Sequence, residues 1–168
     1  MSTRASYRDL ARLSRDQFLR SAAPAVLVRT SSLPTQDQIE TTLTMEERSD
    51  GQGQVGGLPE LPRDAEIYPI AKKPGAAFST MVTLGRTTNN DIAIADPSIS
   101  RLHCYVKYEG GRFAIADGGS KNGTQLNGIM LSPRREIPIE QGARIRLGDV
   151  TLYFCTAYAL FDLLQTQP

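Results

Sequence analysis

Short β-type runs joined by tight turns fill residues 84–128, and this pattern constrains the fold more than any other feature of the sequence. Gly110-Gly111 and Asn127-Gly128 are dipeptides that close two-residue hairpins, because such turns need positive φ at their central positions. In the run before the first dipeptide, Cys104, Val106 and Tyr108 recur with a period of two and therefore share one face of a strand. The pattern predicts antiparallel sheet and hence an all-β fold.

Three polar segments interrupt this pattern at residues 85–86, 100–103 and 120–124, and each falls on a loop between two strands. Loops held by a rigid sheet commonly carry binding residues. Arg86 can bind two oxygens of an anion with its planar guanidinium, while Ser100 can donate a third hydrogen bond. The segments therefore predict a site for an anion that has several acceptor oxygens.

The other polar side chains of these loops suit a phosphorylated peptide. Arg101 and Lys121 add positive charge, and the amide of Asn122 can both donate to and accept from a peptide backbone. A phosphothreonine carries close to two negative charges at neutral pH. A phosphothreonine peptide is therefore the ligand that these residues predict.

The chain contains, in this order, Gly85-Arg86, Asn90-Asp91-Ile92, Asp96, Ser100-Arg101 with His103, Asp117, Ser120 with Asn122-Gly123-Thr124, Asn127-Gly128, and Gly142 with Ile145, Leu147 and Gly148. This series resembles a forkhead-associated (FHA) domain, a family of readers of phosphorylated motifs, and in particular a small bacterial stand-alone FHA protein. The resemblance implies an eleven-stranded antiparallel β-sandwich, here with short N- and C-terminal helices, whose apical loops bind phosphothreonine peptides.

Carried over position by position, the resemblance implies a role for each loop residue. Arg86 and Ser100 would grip the phosphate with help from Arg101 and Lys121, and Asn122 would hold the peptide backbone. Other positions would shape or brace the loops without touching phosphate, and these are Gly85, His103, Asp117, Gly123 and Asn127.

Shifts in composition divide the chain into four parts, namely an N-terminal helix with a first strand (1–30), a flexible insertion rich in Ser, Thr, Gly and Pro (31–63), the FHA domain (64–155) and a C-terminal helix (156–168). Ser14 and Gln17 form a capping-box pattern that predicts a short helix over residues 15–22. Thr156 is a candidate N-cap for the final helix.

The sequence leaves two placements of the first strand open. Residues 25–29 read as a strand ahead of the insertion, and loop-closure entropy tolerates such a long excursion at modest cost. Alternatively, residues 67–71 form the first strand and everything earlier is an appendage. Further along, Lys72-Lys73-Pro74-Gly75 is expected to be a solvated turn, and residues 135–137 are expected to form a strand.

Glu40-Thr41-Thr42-Leu43 lies inside the insertion and is similar to a short motif that some bacterial FHA proteins carry near the N-terminus. In that motif, phosphorylation lets the segment occupy its own FHA pocket. Thr41 and Thr42 are therefore candidate phosphorylation sites, and tethering would make the contact intramolecular. An unmodified polar linker is the alternative, since such composition is common in disordered loops.

Charge and cysteine content argue against several other functions. The formal net charge is only +1, so composition gives no general attraction to nucleic acid or to a membrane surface. Cys104 and Cys155 have no metal-binding spacing, and neither a metal nor another cofactor is expected. The N-terminus lacks the apolar region of a signal peptide, which favours the cytoplasm.

Ser100, His103 and Asp117 supply the residue types of a hydrolase triad. However, no nucleophile elbow surrounds Ser100, and residues three apart in an extended segment point to opposite faces, so we expect no catalysis. The favoured function is a signalling adaptor that binds a phosphothreonine-bearing protein downstream of a Ser/Thr kinase. The alternative is a phosphate-independent scaffold that uses the sandwich face or the terminal helices.

Overall fold

The computed structural model describes residues 2–30, 58, 61–62, 64–76 and 78–165. Most of the insertion expected at 31–63, with Thr41 and Thr42, lies outside the described residues. The elements are β1 (Ser2–Thr3), α1 (Arg4–Ala11), α2 (Arg15–Ser21), β2 (Ala25–Arg29), β3 (Glu66–Pro69), β4 (Val82–Gly85), β5 (Ile92–Ala93), β6 (Cys104–Glu109), β7 (Arg112–Asp117), β8 (Thr124–Leu126), β9 (Ile129–Met130), β10 (Ile137–Ile139), β11 (Arg144–Leu147), β12 (Val150–Thr156) and α3 (Ala157–Gln165).

The strands form two sheets that pack as a sandwich. One sheet has seven strands in the order β1-β3-β2-β12-β11-β8-β9, and the other has five in the order β10-β7-β6-β4-β5. Among the strand pairs of the described residues, only β4 with β5 is parallel. The predicted β-sandwich with short helices is confirmed. The described part of the chain has twelve strands, one more than the resemblance implies, counting the two-residue β1.

The main core lies between the two sheets. Leu27 and Phe154 of the seven-stranded sheet meet Leu84 and Ile115 of the five-stranded sheet in one cluster of buried side chains. Alternation along each strand sends these residues inward, as the period of two predicts. This packing gives the loops at the sheet ends a rigid base.

A second core covers the outer face of the seven-stranded sheet. Val26 and Val28 of β2 point to this face and pack with Phe18 of α2 and Leu160 of α3. Because β2 is buried on both faces, its sequence is an unbroken apolar run rather than an alternating one. The helices thus use their apolar faces inside the domain.

The helix starts follow the predicted cap chemistry. The Ser14 hydroxyl accepts from the Gln17 backbone N–H at 3.4 Å, and Gln17 Oε1 accepts from the Ser14 N–H at 3.2 Å, which confirms the capping box. Thr156 Oγ1 accepts from the Ala159 N–H at 3.4 Å at the start of α3. Within the described ranges, no helix is both long and apolar enough to cross a membrane.

Both predicted hairpin turns are confirmed by positive φ at each central residue, which are Gly110, Gly111, Asn127 and Gly128. Residues 25–29 and 66–69 are both strands, and they pair with each other as β2 and β3. The strand expected at 135–137 is wrong, because strand structure runs from Ile137 to Ile139 instead. Pro138 is tolerated there because, among the described strands, β10 lies at the edge of its sheet and pairs with β7 alone.

Candidate functional site

One cleft at an end of the sandwich collects the five residues expected to bind a phosphopeptide. Arg86 follows β4, Ser100 and Arg101 lie between β5 and β6, and Lys121 and Asn122 lie between β7 and β8. The cleft has a volume of about 750 Å³. The rest of its lining is Pro97, Ser98, Ile99, Leu102 and Gly119.

Ser100 connects the three loops of the cleft through its backbone and its hydroxyl. Its carbonyl accepts from the Arg86 N–H at 2.9 Å, and its Oγ accepts from the Lys121 N–H at 2.9 Å. A serine oxygen that accepts this hydrogen bond keeps its own proton for donation to a ligand oxygen. The Ser100 hydroxyl is therefore oriented by the protein before any ligand arrives.

His103 is fully buried beneath the cleft and joins two of its loops. Nδ1 accepts from the Ser100 N–H at 3.0 Å, so the proton of the neutral ring is on Nε2, which donates to the Gly123 carbonyl at 2.9 Å. Burial lowers the pKa of His103, although the bond to Gly123 and the charge of Asp117 act in the opposite direction. The two hydrogen bonds and the lowered pKa thus both favour the neutral form of the His103 ring.

The extended segment expected for residues 100–103 is wrong, because Arg101 and Leu102 form a bend that brings the His103 ring to the Ser100 N–H. The hydrogen bonds nevertheless differ from those of a hydrolase triad. Ring nitrogen Nδ1 of His103 bonds the Ser100 backbone, whereas the Ser100 hydroxyl bonds Lys121. The Asp117 carboxylate accepts from Ser120 and from other groups of its own turn.

Gly85 lets the Arg101 backbone approach β4. A Cβ atom on Gly85 would overlap the Arg101 carbonyl oxygen and lie 2.7 Å from Asn90 Nδ2. That amide donates to the same Arg101 oxygen at 2.6 Å, and Thr87 Oγ1 donates to it at 3.2 Å. The loop that carries Ser100 and Arg101 is therefore fixed onto the loop that carries Arg86.

Asp117 shapes the loop that carries Lys121 and Asn122. Its carboxylate accepts from the N–H groups of Gly119 and Ser120 at 2.8 and 3.0 Å, and from the Ser120 and Thr124 hydroxyls at 2.6 and 2.7 Å. Burial acts to raise the pKa of Asp117, but these hydrogen bonds outweigh it and lower the pKa. The carboxylate therefore stays charged and occupied within its own turn.

Asn122 is oriented by Ser98, a residue that sequence reasoning missed. Asn122 Nδ2 donates one of its two hydrogens to the Ser98 carbonyl at 2.8 Å, which orients the amide and leaves its oxygen and its second N–H for a peptide backbone. Ser98 is held in turn by Asp96, which accepts from its N–H and hydroxyl, and by the Asp149 N–H, which donates to Ser98 Oγ. An Asp two residues before a Ser, separated by proline, was the available turn signal.

The two remaining loop-structural residues have different places. Gly123 has a φ of +79° and lies against Met130. Asn127 is outside the cleft: its N–H donates to the Arg144 carbonyl and its Oδ1 accepts from the Arg144 N–H, which ties the β8–β9 hairpin to β11. Gly85, His103, Asp117 and Gly123 therefore adjoin the cleft, whereas Asn127 supports the sheet beside it.

The turn at 72–75, expected to be solvated, is instead anchored at its first two residues. Lys72 Nζ lies 2.7 Å from Asp91 Oδ2, whose side chain is fully buried, and it also donates to the Met81 carbonyl at 2.8 Å. Lys73 Nζ donates to the Asn90 carbonyl at 2.8 Å. Burial acts to raise the pKa of Asp91, but its hydrogen bonds from Lys72 and its neighbours lower it. Because an unpaired buried carboxylate is costly, Asp91 requires a cationic partner, and Lys72 of the turn is that partner.

Comparison with known proteins gives one family and several relatives. Residues 82–148 match the family model described as FHA domain. The glycogen accumulation regulator GarA of Mycolicibacterium smegmatis is 29% identical over 110 residues, which cover 62% of this chain and 68% of that protein. The oxoglutarate dehydrogenase inhibitor of Corynebacterium diphtheriae is 27% identical over 139 residues, which cover 80% of this chain and 93% of that protein. The solution structure of the FHA domain of an Arabidopsis thaliana hypothetical protein is 27% identical, with a TM-score of 0.48, and covers 80% of this chain and 86% of that one.

Proposed function

This chain belongs to the FHA family through its domain at residues 82–148, and on that premise we propose that it is a signalling adaptor for phosphothreonine-bearing proteins. The observation that carries the proposal is the convergence of Arg86, Ser100 and Asn122 on one cleft from three separate loops. Cationic and hydroxyl groups that converge in this way suit a multiply charged oxyanion.

The hydrogen bonds around the cleft support separate roles for Arg86 and Ser100 in binding the phosphate. Arg86 binds two phosphate oxygens with its guanidinium, and Ser100 donates its hydroxyl proton to a third, since its oxygen already accepts from Lys121. Arg101 and Lys121 add positive charge. Charge-assisted hydrogen bonds contribute about 1.5–3 kcal/mol each. Two or three of them supply much of the roughly 8 kcal/mol of a micromolar complex.

Asn122 takes the peptide backbone in this proposal. Its amide nitrogen donates one hydrogen to the Ser98 carbonyl, and this bond orients the amide so that its oxygen can accept a peptide N–H. The backbone contact is independent of side-chain identity and so adds affinity without sequence preference. Selection of the phosphorylated state then comes from Arg86 and Ser100, and selection of the surrounding sequence comes from the walls of the cleft.

The proposed ligand places the protein downstream of a Ser/Thr kinase, and therefore in the cytoplasm, where ATP is available for that kinase. The names of the relatives, a regulator of glycogen accumulation and an inhibitor of oxoglutarate dehydrogenase, support a regulatory binding role rather than catalysis. Neither target is transferred to this chain. The partner is defined here by its chemistry, a phosphothreonine in an accessible peptide.

Phosphorylation at Thr41 or Thr42 is proposed to close the same cleft from within. The chain leaves β2 at Arg29, whose guanidinium lies 3.9 Å from Asp96, the residue that holds Ser98 of the cleft. Thr41 is twelve positions after Arg29, and an extended chain spans about 3.3 Å per residue, so the segment is long enough to reach the cleft. A tethered ligand of this kind acts at an effective concentration in about the millimolar range.

The autoregulatory part is tested by treating the protein with a Ser/Thr kinase and titrating it with an external phosphopeptide. Kinase-treated wild type is expected to bind more weakly than untreated protein, and a Thr41→Ala, Thr42→Ala double variant is expected to bind equally well before and after treatment. If treated and untreated wild type bind equally although Thr41 or Thr42 is phosphorylated, the autoregulatory proposal is wrong.

Calorimetric titration with a phosphothreonine peptide and its unphosphorylated counterpart tests the main proposal. Wild type is expected to bind only the phosphorylated form with measurable affinity. Arg86→Ala is expected to weaken binding by about 2–5 kcal/mol, as for removal of one partner from a desolvated charge pair. The matched control is Arg12→Ala, because Arg12 is an exposed arginine on the helical side of the domain and pairs only loosely with Asp9 at 3.8 Å.

Two results would contradict this function. Equal binding of both peptides would favour the phosphate-independent scaffold, and unchanged affinity in Arg86→Ala would remove Arg86 from the site. In the terminal helices, Phe18 and Leu160 are buried against the seven-stranded sheet and are therefore not presented to a partner.

A further inference from the structure

Two exposed apolar side chains border the loop that carries Lys121 and Asn122. Leu102 is 41% exposed, lines the cleft, and lies against Gly118 at the start of the loop. Met130 is 55% exposed and lies over Gly123 at the end of the loop. The loop that carries Lys121 and Asn122 therefore has an exposed apolar side chain at each end.

Met130 can lie over the end of the loop because residue 123 is a glycine. The space that a Cβ atom of Gly123 would occupy is taken by Met130, whose Sδ lies 2.5 Å and Cε 3.1 Å from that position. The thioether thus covers bare backbone beside Asn122 while more than half of the side chain stays accessible. Methionine is unbranched and polarisable, and it adapts to the shape of an apolar partner.

An extended peptide that bonds Asn122 must cross this loop. Such a peptide advances about 3.3 Å per residue and turns successive side chains to alternate sides. Residues on either side of the phosphothreonine therefore come close to Leu102 at one border and Met130 at the other. Single exposed apolar side chains are common on proteins, but Leu102 lines the cleft, and Met130 lies over Gly123, next to the cleft residue Asn122.

We propose that Leu102 and Met130 select phosphothreonine sequences that carry a large apolar residue beside the phosphothreonine, one side chain reading each flank. The inference rests on the proposed function and adds the class of sequence that the cleft accepts. Positive charge on Arg101 and Lys121 would instead favour acidic flanks, so leucine and aspartate are the informative residues to compare.

The test uses one phosphothreonine peptide with alanine at its flanking positions, and versions with leucine or aspartate placed singly at each of them. Fluorescence anisotropy with the full chain gives the leucine-to-alanine affinity ratio for each position. Wild type is expected to prefer leucine about three- to tenfold at one position on each flank, as partial burial of one such side chain allows. Met130→Gln is expected to reduce this ratio towards one on one flank, and Leu102→Asn on the other.

Ile129→Gln is the matched control, because Ile129 is the other residue of β9 and neighbouring residues of a strand point to opposite faces. It is expected to keep both leucine preferences. Met130→Leu is expected to keep the preference as well, which separates an apolar contact from a folding defect. Thermal unfolding of each variant accompanies the titrations.

A preference for aspartate over leucine at every position would overturn the inference, as would leucine preferences that neither Met130→Gln nor Leu102→Asn alters. If the alanine peptide binds only when it is phosphorylated and yet no leucine preference exists, this inference fails and the proposed function stands. If phosphorylated and unphosphorylated alanine peptides bind equally, the proposed function is wrong, and this inference, which rests on it, is wrong as well.

Discussion

Replacement of His103 is expected to destabilise the domain because its buried ring makes a hydrogen bond to each of two loops. The imidazole accepts from the Ser100 N–H at 3.0 Å and donates to the Gly123 carbonyl at 2.9 Å. His103→Ala leaves the partly buried Ser100 N–H without its acceptor, and it leaves the Gly123 carbonyl with only a 3.4 Å hydrogen bond from the Gly148 N–H. One unsatisfied group costs about 1–3 kcal/mol, and the weakened second bond and the lost ring packing bring the expected loss in the free energy of unfolding to about 2–5 kcal/mol.

Urea denaturation of wild type, His103→Ala and His103→Gln measures this loss. Glutamine has a donor and an acceptor on its side chain and is expected to give an intermediate loss. Phosphopeptide affinity is expected to fall in parallel, since Ser100 is displaced with its loop. If His103→Ala loses less than about 1 kcal/mol, the two hydrogen bonds of the ring contribute almost nothing to stability and this prediction is wrong.

The His103 ring makes the free energy of unfolding depend on pH, and the direction follows from its lowered pKa. Burial lowers the pKa of His103 below its ordinary 6.5, so the unfolded chain takes up a proton before the folded chain does. This contribution to stability is present above about pH 6.5 and is lost as pH falls below that value. Between pH 7.5 and 5.5 one group of this kind accounts for at most about 1.4 kcal/mol.

The sequence contains a single histidine, so this dependence can be assigned to it. The unfolding free energy of unliganded wild type is expected to fall between pH 7.5 and 5.5 by more than that of His103→Gln. Unliganded protein is used because phosphate itself titrates with a second pKa of about 6. Parallel pH profiles for the two proteins would contradict the assignment of the neutral, buried ring.

Three further substitutions test other contacts. Gly85→Ala places a Cβ against the Arg101 carbonyl and is expected to cost about 1–3 kcal/mol and to weaken phosphopeptide binding; wild-type values in urea denaturation and calorimetry would contradict the close approach. Asp91→Asn removes the buried negative partner of the partly exposed Lys72 and is expected to cost about 2–4 kcal/mol near pH 7 in urea denaturation. The difference from wild type is expected to shrink as acid titrates Asp91, and its absence at pH 7 would mean that the ion pair is unimportant. Ser14→Ala removes the cap of α2 and is expected to cost about 1 kcal/mol in the same assay, with no change in peptide affinity; a change in affinity would mean that the helix acts on the cleft.

The turns and caps could be predicted because their determinants are local. Gly110-Gly111 and Asn127-Gly128 specify positive φ by themselves, and Ser14 with Gln17 caps a helix through groups three residues apart. Strand pairing is different, because it depends on which edges meet. The parallel pairing of β4 with β5 has no signal in either short strand.

Side-chain pairs that are distant in sequence were beyond prediction. Lys72 and Asp91 are 19 residues apart, and nothing in the basic turn indicates that a buried carboxylate lies beneath it. Ser98 and the Asp149 N–H are 51 residues apart, and their hydrogen bond fixes a residue that the motif does not include. Both contacts arise only when the sheets bring their loop ends together.

The membership of the cleft could be predicted, whereas its internal geometry could not. The order of motifs indicated that Arg86, Ser100 and Asn122 belong to one family pattern, and all three line the cleft. The sequence did not show that Ser100 and His103 share a turn, nor that Ser98 orients Asn122. These contacts depend on backbone conformations that only the assembled loops adopt.

A crystal structure of the protein with a bound phosphothreonine peptide would show directly which side chains hold the phosphate. We expect phosphate oxygens within hydrogen-bond distance of the Arg86 guanidinium and the Ser100 hydroxyl, with a peptide N–H on the amide oxygen of Asn122. A peptide that binds with its phosphate remote from Arg86 and Ser100, on the sheet face or the helices, would contradict this expectation.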